Sequence, residues 1–163
     1  MARVAVSLGT NTEAEFHLKI AIFLLRPFIQ ELVISDVYES TPVNFGGRNF
    51  YNIVFGGNTK LSLEHFIELL KSIEDQYGRD RNANNRSSIT LDLDLLIYDD
   101  IICENPISLP RPEILKNAFV LKPLCDIYPD LLHPVVKKSY TLLWQNFDNP
   151  SQALWQIDFD WKK

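Results

Sequence analysis

The chain is poor in cysteine and has no long apolar run. Cys103 and Cys125 are its only cysteines among 163 residues, too few for a disulfide framework and without the spacing of a metal-binding or redox pair. No stretch approaches the roughly 18 apolar residues of a membrane span, and the N-terminus lacks the apolar region of a signal peptide. We therefore expect a cytoplasmic protein with reduced thiols and no membrane association.

Positive charge is also scarce. Lys and Arg number 16 against 21 Asp and Glu, a formal net charge of −5, so the broad electrostatic footprint of a nucleic-acid-binding protein is absent. With 46% hydrophobic and 12% aromatic residues, residues 1–163 can form one domain around a sizeable core. We expect a monomer or weak homo-oligomer in which any phosphate site is local.

The apolar patterns predict the element order βαββαβ. Strands are expected at about 3–8, 31–38, 50–55 and 89–97, the third ending at the turn-forming pair Gly56-Gly57. A capping box of Thr12 and Glu15 opens one helix, and Ser62 caps a second that extends to Tyr77. This order builds a ferredoxin-like α+β sandwich with a C-terminal extension of short helices, in which three tryptophans anchor the tail.

Two acids interrupt the apolar strand predicted at 89–97. Asp92 and Asp94 alternate with Leu91, Leu93 and Leu95, and side chains alternate along a strand, so both carboxylates face the same way with Cβ atoms roughly 6.5–7 Å apart. That spacing suits two carboxylates that share hard cations. Acids that alternate with leucines are equally typical of the solvated face of a half-buried strand.

Six spaced segments of the chain resemble the 6-hydroxymethyl-7,8-dihydropterin pyrophosphokinase family. They lie at residues 8–11, 38–42, 50–52, 73–79, 90–94 and 117–124. The resemblance implies a 2-amino-4-hydroxy-6-hydroxymethyldihydropteridine diphosphokinase of folate biosynthesis, which transfers the β,γ-diphosphate of ATP to the pterin hydroxymethyl group and releases AMP. It also implies that Asp92 and Asp94 bind two Mg²⁺ ions.

The resemblance further implies roles for individual side chains. The pterin site is expected to use Ser40, Thr41, Val43, Asn52 and Phe119. The ATP site is expected to use Lys71, Glu74, Arg81, Arg111 and Lys116. The catalytic cations are expected to be Arg79, Arg81, Arg86 and Arg111. Simpler interpretations remain open: core packing for Phe119, a strand-edge position for Asn52, a surface ion pair between Glu74 and Arg79, and a solvated loop for residues 78–89.

The chain departs from the family pattern at three positions where the family has cationic side chains. Ile89 replaces a phosphate-facing arginine, Arg111 replaces a histidine and Asn117 replaces an arginine. Arg86 and Lys116 offer compensating charge, although loss of positioned cations typically raises a barrier by a few kcal/mol. The alternatives to a pyrophosphokinase are a non-catalytic or retuned pterin- or nucleotide-binding paralogue and, less well supported by motif and charge, an RNA-binding module.

Overall fold

The computed structural model describes residues 1–41, 48–77, 91–149 and 151–162. Two short 3₁₀ helices, Arg26–Phe28 and Pro112–Leu115, accompany the longer elements. In chain order, those elements are β1 (Ala2–Thr10), α1 (Ala14–Leu25), β2 (Gln30–Ile34), β3 (Val37–Ser40), β4 (Phe50–Thr59), α2 (Leu63–Gln76), β5 (Asp92–Tyr98), α3 (Ala118–Ile127), α4 (Tyr140–Gln145) and β6 (Leu154–Ile157).

The strands form one antiparallel sheet in the order β5-β1-β4-β3-β6, and β2 also pairs with β4. β2 and β3 together occupy one strand position, because both pair with the same neighbour. The first five strands and two helices thus form the predicted ferredoxin-like arrangement, and the fold class is confirmed. β6 was not predicted from the sequence; it extends the sheet along β3.

The single strand predicted at 31–38 is divided at Ser35. Ser35 N donates to Val54 O at 2.9 Å, and Val54 N donates to Ser35 Oγ at 2.9 Å. The hydroxyl oxygen therefore serves as the acceptor that a backbone carbonyl provides elsewhere in the ladder. Val54 stays fully hydrogen-bonded across the break between β2 and β3.

The prediction that the strand ends at Gly56-Gly57 is wrong, since β4 continues to Thr59. A Cβ atom on Gly56 would lie 2.5 Å from Val4 O, and one on Gly57 would lie 2.5 Å from Gln30 O. Gly57 also has a φ of +149°. The two glycines allow close backbone approach inside the sheet instead of forming a turn.

One of the two predicted helix caps is present. Ser62 Oγ accepts a hydrogen bond from His65 N at 3.2 Å, as expected for the N-cap of α2. The predicted capping box at Thr12 is wrong: the N-cap of α1 is Glu13, which has left-handed backbone angles and makes no side-chain cap. Instead, His17 Nδ1 donates to Thr12 O at 2.7 Å.

The sheet is covered on both faces by apolar side chains. Leu8, Leu93 and Phe66 belong to the core beneath α1 and α2, whereas Leu96 and Leu121 belong to a second core beneath α3 and α4. The predicted short C-terminal helices therefore have a defined position: they cover the second face. No helix in the described ranges is long and apolar enough to span a membrane.

The three tryptophans predicted to anchor the tail differ in their surroundings. Trp144 packs on the second core and Trp161 on the first. Trp155 lies in β6 and is 40% exposed, so the prediction is wrong for this residue. Strand pairing with β3, and not burial of Trp155, fixes that part of the tail.

Candidate active site

Asp92 and Asp94 face the second side of the sheet, next to β1. Leu91, Leu93 and Leu95 are buried in the first core, so alternation along β5 turns both acids to the opposite face. In the ladder, Asp92 is paired with Gly9 and Asp94 with Ser7. Gly9 has no side chain, which leaves a recess in the sheet surface beside the two carboxylates.

A cavity of about 250 Å³ lies above this part of the sheet. The β-strands contribute mainly polar groups to it: Ser7, Gly9, Ser40, Asn52, Asp92 and Asp94. The opposite wall comes from the 3₁₀ helix and the start of α3: Arg111, Glu113, Asn117, Phe119 and Val120. A concave site with apolar walls and a few convergent polar groups is typical of a small-molecule binding site.

The Asn52 side chain is held in one orientation on the wall of the cavity that the sheet forms. Its Nδ2 donates to Ser40 Oγ at 2.9 Å and to Tyr38 O at 3.3 Å. The amide oxygen, Oδ1, is directed toward Gly9, where a Cβ atom would lie 3.5 Å from it. The donor side of the amide is therefore engaged within the protein, and its acceptor side lies over the recess.

Arg111 is the cation that reaches the acidic pair among the described residues. Its Nε donates to Leu95 O at 2.9 Å, and its Nη1 lies 3.8 Å from Asp94 Oδ1 and 3.7 Å from Glu113 Oε2. Glu113 Oε2 is buried and has no hydrogen-bond partner in the described part of the chain. One guanidinium is thus shared between two carboxylates, and negative charge exceeds positive charge in the described lining.

This excess of negative charge is visible in the pKa of Asp94. Burial, followed by the nearby Asp92 carboxylate, raises that pKa to about 7, while Arg111 acts in the opposite direction. The charged form of Asp94 therefore lacks a sufficient positive partner. Carboxylate oxygens are the ligands that Mg²⁺ prefers, so the residues present fit a magnesium site.

The protein ligands of such a site are few. No group of three or more His, Cys, Asp or Glu residues suited to a metal occurs among residues 1–41, 48–77, 91–149 and 151–162. Mg²⁺ commonly binds through one or two carboxylates and completes its coordination with water and substrate phosphate oxygens. The Asp92 and Asp94 pair matches that pattern better than it matches a site built entirely of protein ligands.

The model of the 7,8-dihydro-6-hydroxymethylpterin-pyrophosphokinase family matches residues 5–129. The chain belongs to this family. It is 32% identical over 142 residues to the 2-amino-4-hydroxy-6-hydroxymethyldihydropteridine pyrophosphokinase of Aquifex aeolicus (strain VF5), a match that covers 85% of this chain and 88% of that protein. The corresponding protein of Bacillus subtilis (strain 168) is 31% identical over 127 residues, with 75% of each chain covered. The family resemblance found in the sequence is confirmed.

Other proteins that the chain resembles are much longer than it is. The folic acid synthesis protein fol1 of Pneumocystis carinii is 36% identical over 140 residues, which cover 83% of this chain and 19% of that protein. A crystal structure of Plasmodium falciparum HPPK-DHPS wild type with pteroate superposes with a TM-score of 0.73 at 15% identity and covers 90% of this chain and 42% of that one. At this identity the superposition shows a shared fold.

The structure places the predicted site residues of this family member unequally. Ser40, Thr41, Asn52, Asp92, Asp94, Arg111 and Phe119 line one cavity. Val43, Arg79, Arg81 and Arg86 lie outside the described residues, as does Ile89. Lys71 and Lys116 are exposed and do not line the cavity. Their roles in ATP binding stay predictions.

Glu74 is buried, so the simpler interpretation of a surface ion pair is wrong for this side chain. It is 6% exposed, and its Oε2 accepts a hydrogen bond from Leu93 N at 2.7 Å. β5 is the terminal strand in the described sheet, and Glu74 thereby provides an acceptor for a backbone N–H of that strand. This contact favours a structural role for Glu74 over the predicted contact with ATP.

Several residues that line the cavity were missed by the sequence interpretation. Gly9 lies beyond the strand predicted at about 3–8, but β1 extends to Thr10 and includes it. Ser7 shares its strand face with Gly9, so alternation along β1 would have identified it once the pairing with β5 was known. Glu113 had no comparable signal, because its position depends on the 3₁₀ helix that follows Arg111.

Proposed function

We propose that the chain transfers the β,γ-diphosphate of ATP to the hydroxymethyl group of 6-hydroxymethyl-7,8-dihydropterin within the cavity between the sheet and α3. Family membership supports the pyrophosphokinase activity of folate biosynthesis, with ATP as co-substrate, and does not support the alternative of a binding paralogue. The observation that carries the location is that Asp92 and Asp94 share one cavity with Asn52 and Phe119.

The pterin is proposed to occupy the recess above Gly9. There the Asn52 Oδ1 atom accepts a hydrogen bond from an N–H group on the edge of the pterin ring, because its own Nδ2 is engaged by Ser40 and Tyr38. Phe119, on the opposite wall, provides an aromatic face against which the flat ring stacks. Ser40 acts through Asn52, since its hydroxyl keeps the amide from rotating.

The phosphate groups of ATP are proposed to lie next to Asp92 and Asp94. These carboxylates would hold two Mg²⁺ ions, which when bound neutralise phosphate charge and align the reacting groups. Arg111 places a fixed cation beside Asp94, with its Nε anchored on Leu95 O. Anchoring through a backbone contact keeps the guanidinium in position as charge moves during the reaction.

The reaction needs no protein nucleophile. The pterin hydroxyl oxygen forms a bond to the β-phosphorus of ATP, and the bond between that phosphorus and the oxygen bridging to the α-phosphorus breaks. AMP leaves with the bonding electron pair, and the hydroxyl proton passes to water. The protein residues orient the two substrates and exclude competing water, which accounts for much of the catalysis of phosphoryl transfer.

The products identify the activity. We expect the purified chain, incubated with ATP, magnesium and 6-hydroxymethyl-7,8-dihydropterin, to form AMP and a diphosphorylated pterin, detected by mass spectrometry. Asp92→Asn and Asp94→Asn should each lower turnover by about 100-fold or more and retain the melting temperature of the wild type. Asp100→Asn, an exposed acid after the other end of β5, is the matched control. ADP with a monophosphorylated pterin would contradict the proposal.

A further inference from the structure

The segment from Ser151 to Ile157 contacts both walls of the cavity. It lies outside residues 5–129, which the family model covers. Its first part contacts the start of α3, and its second part is β6, which pairs with β3. Asn117 and Phe119 of one wall and Ser40 of the other are therefore tied to the same short stretch of chain.

Gln152 is the residue through which this segment holds the start of α3. Its Oε1 accepts a hydrogen bond from Ala118 N at 2.6 Å, and its Nε2 donates to Lys116 O at 3.0 Å. The N-cap residue of α3, Asn117, makes no side-chain cap of its own. The Gln152 amide thus satisfies an N–H that the helix leaves unpaired and holds the backbone on both sides of Asn117.

The same segment then supports the opposite wall. Two residues after Gln152, Leu154 is paired with Ser40 in the ladder between β6 and β3. Ser40 Oγ accepts a hydrogen bond from Asn52 Nδ2 at 2.9 Å. The backbone N of Gln152 also donates to Asn149 O at 3.0 Å. Gln152 thus lies on the chain segment that links the wall with Phe119 to the wall with Asn52.

We infer that Gln152 is a positioning residue for the pterin: it sets the distance between the wall that carries Phe119 and the wall that carries Asn52. The inference rests on the proposed function for the identity of the ligand. The contacts described for Gln152 are with the start of α3, whereas Asp92 and Asp94 belong to β5 at the far edge of the described sheet. Loss of the Gln152 amide should therefore affect the pterin more than ATP.

The test compares two glutamines of one segment. Gln156, in β6, is exposed, and no hydrogen bond of its side chain is found among the described residues, so Gln156→Ala is the control for Gln152→Ala. We expect Gln152→Ala to raise the pterin KM by about tenfold, because two hydrogen bonds to the backbone are lost, and to raise the ATP KM less, by about threefold at most, through Lys116 and Asn117. Calorimetry with the pterin should show a matching increase in Kd, and Gln156→Ala should change neither constant.

A third variant separates positioning from general stability. Gln152→Glu retains an oxygen that accepts from Ala118 N but loses the donor to Lys116 O, so we expect a smaller increase in pterin KM, of about threefold. An unchanged pterin KM in Gln152→Ala despite a lower melting temperature would overturn the inference, as would equal increases for pterin and ATP. If Gln152→Ala does not fold, Gln152→Glu decides between the same outcomes.

Failure of the proposed function would give a different experimental result from failure of the inference about Gln152. If the wild type forms no AMP from ATP and the pterin, the proposed function fails, whatever the variants do. Calorimetry still decides the inference in that case: pterin that binds to the wild type and binds about tenfold more weakly to Gln152→Ala supports it. Equal binding to both proteins, or no binding to either, contradicts it.

Discussion

Gly9 and Asn52 are paired across β1 and β4, and a Cβ atom on Gly9 would lie 3.5 Å from Asn52 Oδ1. This distance is an ordinary van der Waals contact, so an alanine fits here without displacing the backbone. The added methyl group would, however, occupy the recess beneath the proposed pterin site. A substitution at Gly9 can therefore weaken ligand binding with little change in the free energy of unfolding.

Gly9→Ala is expected to weaken pterin binding by about tenfold and to change the free energy of unfolding by less than about 1 kcal/mol. Calorimetry and urea denaturation measure the two quantities. Gly56→Ala is the comparison: its Cβ would lie 2.5 Å from Val4 O, so we expect a loss of about 2 kcal/mol or more. Unchanged pterin affinity in a folded Gly9→Ala variant would show that the ring lies elsewhere.

Asn117→Arg should strengthen ATP binding. Asn117 lines the cavity, whose described lining carries three acids, Asp92, Asp94 and Glu113, against one cation. An added guanidinium near a triphosphate is worth about 1–3 kcal/mol when it forms charge-assisted hydrogen bonds, so the ATP KM should fall severalfold or more. Asn146→Arg adds the same charge at the exposed end of α4 and should leave that KM unchanged. Equal effects of both variants would indicate a long-range change of net charge alone.

Glu74→Ala is expected to destabilise the fold and to leave the ATP KM nearly unchanged. Removal of the carboxylate leaves Leu93 N without its acceptor in a buried environment, at a cost of about 2–3 kcal/mol. Glu74→Gln keeps an oxygen at this position and should recover part of that loss in a urea-denaturation experiment. A normal melting temperature together with a severalfold higher ATP KM in Glu74→Ala would restore the ATP-binding role.

His133 should make the stability fall in mild acid. Its Nδ1 accepts hydrogen bonds from Val135 N at 3.1 Å and Val136 N at 3.3 Å, and burial lowers its pKa below the ordinary value of 6.5. The unfolded chain therefore takes up a proton on this ring at higher pH than the folded chain does. The stability contribution of His133 is full above pH 6.5 and is lost as the pH falls toward the pKa of the folded state.

The matched variant for this effect is His133→Asn, whose Oδ1 can replace Nδ1 as the acceptor and does not titrate. We expect its free energy of unfolding to change less than that of the wild type between about pH 6.5 and pH 5. His133→Ala, which has no acceptor, should be less stable by about 1–2 kcal/mol at neutral pH. Parallel pH profiles for the wild type and His133→Asn would assign the acid sensitivity to other groups.

Local sequence patterns predicted those helices and strands in which apolar residues recur at a regular spacing. The leucines that alternate with Asp92 and Asp94, and the apolar stripe of α2, identify the buried faces of β5 and α2 by their period alone. Gly56 and Gly57 misled the interpretation, because a glycine required by close strand packing has the same sequence signal as one required by a turn. The difference lies in the neighbouring strand, which a local pattern does not contain.

Prediction of the candidate site was limited in the same way. The two acids and the family motifs could be identified from the sequence, whereas Ser7 and Gly9 depend on the register between β1 and β5. Gln152 is more remote still: its importance follows from contacts with Lys116 and Ala118, more than 30 positions earlier in the chain. Residues of this kind contact backbone groups, and backbone contacts leave no compositional pattern in the sequence.

Ser35 separates the exposed half of the divided strand from the half that reaches the cavity. β2, before the break, has no buried residue, whereas β3, after it, is mostly buried, carries Ser40 and pairs with β6. Because the buried Ser35 hydroxyl supplies the acceptor for Val54 N, the backbone can leave the ladder between the two strands without leaving that amide unpaired. Substitutions on the exposed strand β2 should therefore be tolerated without a change in the position of Ser40.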